Sequence, residues 1–205
     1  MADLTIIGAG NMGGAIAAVA LAGGNTVQLI ARDSAKVAAA NAAATAGVVG
    51  DPITGDIVVL ALPYGALDEV LATYSEQLDG KIVVDLTNPV DFSTFDSLVV
   101  AADSSAAAEI AAKLPGARVL KAFNTNFAAT LHTGVVGAEK TAVLIAGDDA
   151  DAKSALAAVL EAGGVKAVDA GSLKRARELE SLGFLQLTLA AAEKTSWTSG
   201  FALAE

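Results

Sequence analysis

The stretch Thr5-Ile-Ile-Gly-Ala-Gly-Asn-Met-Gly-Gly14 decides how the rest of the chain is read. It contains Gly8-x-Gly10-x-x-Gly13, a spacing that suits a phosphate-cradling turn. Spacing alone says little in a chain with 20 glycines. The surroundings say more. An apolar run over 4–8 precedes the glycines and an Ala-rich run over 11–23 follows, so a strand leads in and a helix leads out. In that setting Gly8 permits the tight turn, Gly10 lets a diphosphate approach the backbone, and Gly13 lets helix lie close on strand. The free N–H groups and positive dipole end of the helix then face the phosphates. The alternative is an ordinary β–α turn with no ligand.

Working outward, the pattern repeats. Short apolar runs over 26–31, 56–62 and 81–87 read as buried parallel strands, and 118–123, 141–146 and 166–169 as three more. Between them, 34–46, 66–78, 104–113 and 149–162 read as helices, with Asp33 or Ser34 as an N-cap. A last helix is expected from near Ser172 toward Lys194, burying Leu173, Leu179, Leu182 and Leu185. The stretch 89–103 reads as an irregular loop. Strand–helix alternation of this kind predicts an α/β fold, a Rossmann-type doubly wound, mainly parallel sheet. We read 1–205 as one such domain, with 172–205 as a small C-terminal helical extension and tail.

Composition narrows the chemistry. With no Cys and one His (His132), thiolate catalysis, cysteine-held metal and a multi-histidine metal site are excluded. A formal charge of −10 disfavours nucleic acid and anionic membrane surfaces. No apolar run reaches the roughly 18 residues of a spanning helix, and no basic leader opens the chain, so a cytoplasmic protein is expected. His132 reads as an exposed loop residue, and Asp148, Asp149 and Asp151 as helix caps. Trp197 and Phe201 read as packing anchors, although a planar ligand could use them.

In a doubly wound sheet the ligand sits beyond the carboxyl ends of the strands. The expected cofactor contacts are therefore Gly8, Ala9, Gly10, Asn11, Met12, Gly13, Ala31, Arg32, Asp33, Lys36, Ala61, Leu62, Pro63, Tyr64, Leu67, Asn88, Pro89, Ala122, Phe123, Asn124 and Thr125. An NAD site wants an acid at the end of the second strand, about 20 residues past the glycines. Here that strand ends Ala31-Arg32-Asp33. Ala31 offers no acid, whereas the Arg32 guanidinium suits a 2′-phosphate and Lys36 adds charge one helical turn on. NADP(H) is the expected dinucleotide, with Asp33 read as a cap rather than a ribose ligand. Arg32 as a plain solvated charge is the other reading. The thin supply of acids and bases disfavours alcohol oxidation, which needs a base for the hydroxyl proton. Hydride transfer between two stacked rings needs mainly positioning.

Several further runs carry a family resemblance. Gly10-Asn-Met-Gly13, Arg32, Leu62-Pro-Tyr64, Lys121-Ala-Phe-Asn-Thr125, Ala146-Gly-Asp-Asp149 and Asp169-Ala-Gly-Ser-Leu173 together resemble the coenzyme F420-dependent NADP oxidoreductases. The reductase domains of six-transmembrane metalloreductases are similar through the Lys-Ala-Phe-Asn-Thr and Asp-x-Gly-Ser-Leu runs. The resemblance implies NADP(H) over residues 9–12, its 2′-phosphate at Arg32 and Lys36, and Leu62, Pro63 and Ala122 beside the nicotinamide. It implies hydride exchange between nicotinamide C4 and the C5 of coenzyme F420, with no catalytic acid and Asn124 as an acceptor contact. Archaeal deazaflavin-reducing members carry His where this chain has Asn124 and Ser where it has Ala31. The other acceptors weighed are a flavin, a quinone or a ferric chelate, and a non-catalytic NADP(H) sensor is the rival class. A homodimer joined through the last helix and the Trp197–Phe201 tail is also expected.

Overall fold

The computed structural model describes residues 1–204. The chain runs β1 (Asp3–Ile7), α1 (Asn11–Ala22), β2 (Thr26–Ala31), α2 (Ser34–Ala40), β3 (Thr45–Val48) and β4 (Ile57–Leu60). It continues through α3 (Leu67–Tyr74), β5 (Ile82–Asp85), α4 (Ala106–Lys113), β6 (Arg118–Lys121) and α5 (Ala128–Thr133). A two-stranded hairpin, β7 (Val135–Val136) and β8 (Glu139–Lys140), leads into β9 (Ala142–Gly147), α6 (Ala150–Ala162), β10 (Lys166–Gly171) and α7 (Ala176–Ala191).

The main sheet has the order β10-β9-β6-β5-β4-β1-β2-β3. β1 lies between β2 and β4, pairing parallel with both, so the order reverses at its edges. That reversal opens the crevice in which doubly wound sheets bind ligands. Along the central strands β1, β2, β4 and β5, apolar residues of both parities are buried, because helices cover both faces. Ile6, Leu29 and Val59 pack with Ile16 and Val19 of α1 and Leu156 of α6 on one face. Ile7, Ile30 and Val58 pack with Leu71 and Tyr74 of α3 and Ile110 of α4 on the other. Among the described residues no helix is long and apolar enough to cross a membrane.

Four expectations need correction. The helix expected over 34–46 stops at Ala40: Asn41 takes an extended backbone and its side chain accepts from Ala43 N, so the chain turns into edge strand β3. Second, β9 joins β6 antiparallel, through Leu120↔Gly147 and Lys121↔Ala146. After β6 the chain stays on the carboxyl side, where α5 packs on α1, and β9 therefore enters the sheet from that side. Third, His132 belongs to the last turn of α5, not to a loop. Fourth, of the leucines expected on the buried face of the last helix Leu179 is buried, Leu173 and Leu182 are half-buried and Leu185 is exposed, while α7 also buries Ala176, Glu180, Gly183, Gln186 and Ala190. The cause lies in the buried charges described next. The 89–103 loop is irregular as expected, with one antiparallel bridge between Val90 and Leu98.

Candidate active site

The three motif glycines do three different jobs. A Cβ on Gly8 would lie 2.0 Å from the Ala61 carbonyl oxygen, and Gly8 also holds φ +119°, which only glycine adopts readily. A Cβ on Gly13 would lie 1.9 Å from the Gly8 carbonyl oxygen, so the start of α1 can rest on the turn. At Gly10 a Cβ would meet nothing within 4 Å. Two of the glycines are therefore demanded by the protein's own packing. The third leaves open space over the N-terminus of α1, which no side chain caps.

Three recesses follow this loop and share residues. The first, about 290 Å³, is lined by Gly8, Ala9, Gly10, Ala31, Arg32, Lys36, Ala61, Leu62 and Pro63, with Glu69 and Val70 of α3 on its far wall. The second, about 640 Å³, starts at Asn11 and Met12 and continues over Leu86, Asn88, Phe123, Asn124, Asn126 and Phe127 to His132, Leu187, Trp197 and Thr198. A third, of about 350 Å³, shares Ala9, Gly10 and Lys36 with the first and Asn11 and His132 with the second. The track suits an extended molecule with a diphosphate at its middle. Arg32 and Lys36 are exposed, and among the described residues neither makes an ion pair. Asp33 caps α2 instead, accepting from Ala35 N at 2.9 Å.

The second cavity rests on a buried charge cluster. Lys121 Nζ, fully buried, donates to Asp85 Oδ2 at 2.7 Å, Glu180 Oε1 at 2.8 Å and the Thr87 carbonyl at 2.6 Å. Asp85 Oδ1 accepts from Thr87 N, and Glu180 accepts from Ala106 N and Ala107 N at the start of α4. Burial pushes the Glu180 carboxyl up from its ordinary range, against the pull of Lys121 and the Ala106 N–H. This cluster ties β5, β6, α4 and α7 together, and it is why α7 turns Glu180 inward. Three residues on, Gly183 lets α7 close in: a Cβ there would lie 2.4 Å from Asn88 Oδ1.

Phe123 holds φ +65°, a costly conformation for an aromatic residue, and turns the chain sharply at the end of β6. Asn124 then donates to Asn88 Oδ1 at 3.0 Å and to the Leu179 carbonyl at 2.8 Å, while Asn88 donates back to the Asn124 carbonyl. The side-chain carbonyl oxygens of Asn124 and Asn126 are buried without a hydrogen-bond partner. Both residues line the second cavity, and such acceptors suit a ligand with N–H donors. His132 is the one titratable group on that lining.

Sequence reasoning therefore located most of the first cavity and the near end of the second. Tyr64 and Leu67 line a separate recess beside α4, where the Tyr64 hydroxyl donates to Glu109 at 2.5 Å. Burial first, then that hydrogen bond, pushes the Tyr64 phenol up to about 12. Pro89, Ala122 and Thr125 are buried and line neither cavity. Phe127, His132 and Leu187 were missed as wall residues. Only the solitary histidine and tryptophan carried any sequence signal toward that wall.

Fold and glycine turn together define a Rossmann-like α/β protein. Comparison with known proteins adds the family. Residues 3–89 match the family model described as NADP oxidoreductase, coenzyme F420-dependent. The F420-dependent NADP reductase of Methanothermobacter marburgensis is 31% identical over 169 residues, covering 80% of this chain and 72% of that one. Metalloreductase STEAP3 of Rattus norvegicus is 35% identical over 112 residues, which is 55% of this chain and 22% of that protein. Among solved structures, a protein of Arthrobacter sp. FB24, provisionally named an F420-dependent NADP reductase, aligns over 100% of both chains with TM-score 0.82 and 25% identity. An imine reductase of Myxococcus stipitatus in complex with NADP+ aligns over 94% of this chain and 63% of its own, with TM-score 0.67 and 26% identity. The chain belongs to the coenzyme F420-dependent NADP oxidoreductase family, a family of enzymes.

Proposed function

We propose that this enzyme exchanges hydride between NADP(H) and coenzyme F420. The observation that carries the reading is the pair of cavities on either side of Gly10–Met12, one edged by two cations without an ion pair among the described residues and the other walled by amides and rings. The residues fit the dinucleotide: open space at Gly10 admits the diphosphate, and Arg32 with Lys36 meets a 2′-phosphate. Asn124 and Asn126, whose buried side-chain oxygens lack a partner among the described residues, line the cavity that would take a nicotinamide amide or a pyrimidinedione ring. When bound, NADPH supplies two electrons as hydride, the deazaflavin accepts them, and solvent supplies the one proton that completes its reduction. The protein's part is to hold the two rings in register and keep water from the gap, which suits a lining without carboxylate or lysine.

The test is an absorbance assay with NADPH against coenzyme F420, FMN and ferric chelates. Bleaching of the deazaflavin is expected, in proportion to NADPH consumed. Reduction of another acceptor with F420 untouched would overturn the choice, in favour of a flavin reductase if FMN reacts or of the metal reductase that the STEAP3 match supports if the ferric chelate does. Tight NADPH binding with no turnover would favour a sensor. The expected homodimer, joined through the last helix and the Trp197–Phe201 tail, is part of this proposal: Leu185, Trp197 and Phe201 are exposed there, and a monomer mass in solution would refute it.

A further inference from the structure

Trp197 is the only tryptophan of the chain, and it lies beyond α7, in a segment with no helix or strand of its own. A small turn holds it in place. Ser199 N and Ser199 Oγ both donate to the Ser196 carbonyl, at 3.1 and 2.9 Å, and the Thr195 and Ser199 hydroxyls hydrogen-bond across the base. The indole packs on Phe127, which precedes α5, with ring centroids 5.1 Å apart and planes tilted by 53°. Phe127 is buried, yet Trp197 keeps 52% of its surface exposed. A residue serving only to pin down the tail would be expected to bury more of so large a ring. Instead Trp197, Thr198 and Phe127 line the 640 Å³ cavity along with Asn124 and Asn126, two of the four residues whose buried side-chain oxygens lack a partner among the described residues. One cavity thus combines a supported aromatic wall with unpaired acceptors. That is the recognition chemistry of a flat heteroaromatic ring, which stacks by its face and is read by hydrogen bonds at its edge.

We propose that Trp197, backed by Phe127, is the stacking surface for the fused ring of the hydride acceptor, so that the tail beyond α7 selects planar acceptors over metal chelates. The inference rests on the reading that the second cavity takes the acceptor, and it adds a residue to that site. A ferric chelate, being compact and without an extended π-face, gains little from such a wall.

The lone tryptophan makes a direct test possible. The wild-type protein, with saturating NADP+, is titrated with coenzyme F420, FMN and a ferric chelate while tryptophan emission is followed; N-acetyltryptophanamide corrects for absorbed light. Saturable quenching by a planar ring, and none by the chelate, is expected. Trp197→Ala should raise KM for the planar acceptor about tenfold, equivalent to about 1.4 kcal/mol. It should leave the dissociation constant for NADP+ within twofold, which also shows that the variant folds. Trp197→Phe should recover most of the loss, and Trp197→Leu little of it. Absence of saturable quenching by either ring overturns the proposal, as does an unchanged KM in Trp197→Ala or quenching by the chelate alone. If F420 is not reduced but FMN quenches and its KM shifts, the F420 reading fails while the role of Trp197 stands.

Discussion

The two sides of the glycine loop are built on opposite uses of positive charge. On the β2 side, Arg32 and Lys36 stand exposed at a cavity edge with no carboxylate partner among the described residues. On the β5–β6 side, Lys121 is fully buried, and its three donors meet two carboxylates and a carbonyl. A free surface cation keeps its interaction energy for a ligand, above all in a chain of net charge −10. A buried, saturated cation has none to spare and acts as a clamp on the elements around it. The difference separates a pair of cations left open at a cavity edge from one that fixes the elements around it.

The strongest way to break that contrast is to remove the clamp. Lys121→Met leaves Asp85 and Glu180 buried side by side without their cation, so a loss of about 3–5 kcal/mol is expected in urea unfolding. A loss below about 1 kcal/mol would show that the cluster is no clamp. Next in size is the recognition side. Arg32→Ala should weaken NADPH binding by about 10- to 150-fold, the scale of a lost charge-assisted hydrogen bond, with NADH affinity and thermal stability unchanged. Equal loss for both dinucleotides would mean that Arg32 does not read a 2′-phosphate.

The smallest effect concerns pH. Because the folded state holds the Glu180 proton more tightly than the unfolded chain does, this group contributes stability at acid pH that is lost as pH rises from the ordinary value of 4.5 through the raised one. Glu180→Gln removes that slope. The stability of the variant relative to wild type should therefore increase with pH across this window, by at most about 1.4 kcal/mol per pH unit. A stability difference that stays flat with pH would place the Glu180 proton affinity at its ordinary level.

Legibility divided along the same line. The β2 side was readable because its parts are local: Gly8 to Gly13 and Ala31 to Lys36 each lie in one short run, and the strands before them are plain apolar stretches. Strand β3 was not, since Thr45-Ala-Gly-Val48 follows an Ala-rich run and only the Asn41 turn separates them. Nor was the antiparallel entry of β9, which depends on where α5 packs. The face of α7 was misread because pattern reasoning buries leucine, while the fold had a stronger demand for Glu180 at Lys121 and for Gly183 at Asn88.

By itself, the order of residues determined the doubly wound sheet, the glycine turn after β1, and the absence of an acid at the last position of β2. Each of these follows from periodicity, backbone freedom or charge within a few neighbouring positions. Only the tertiary structure decided what faces that turn from the other side. Asp85, Lys121 and Glu180 come together across separations of 36 and 59 residues, and Phe127 meets Trp197 across the whole of β9, α6, β10 and α7. Nothing in local sequence distinguishes a lysine that will be buried from one left in solvent. Which it becomes depends on what the rest of the chain brings to it.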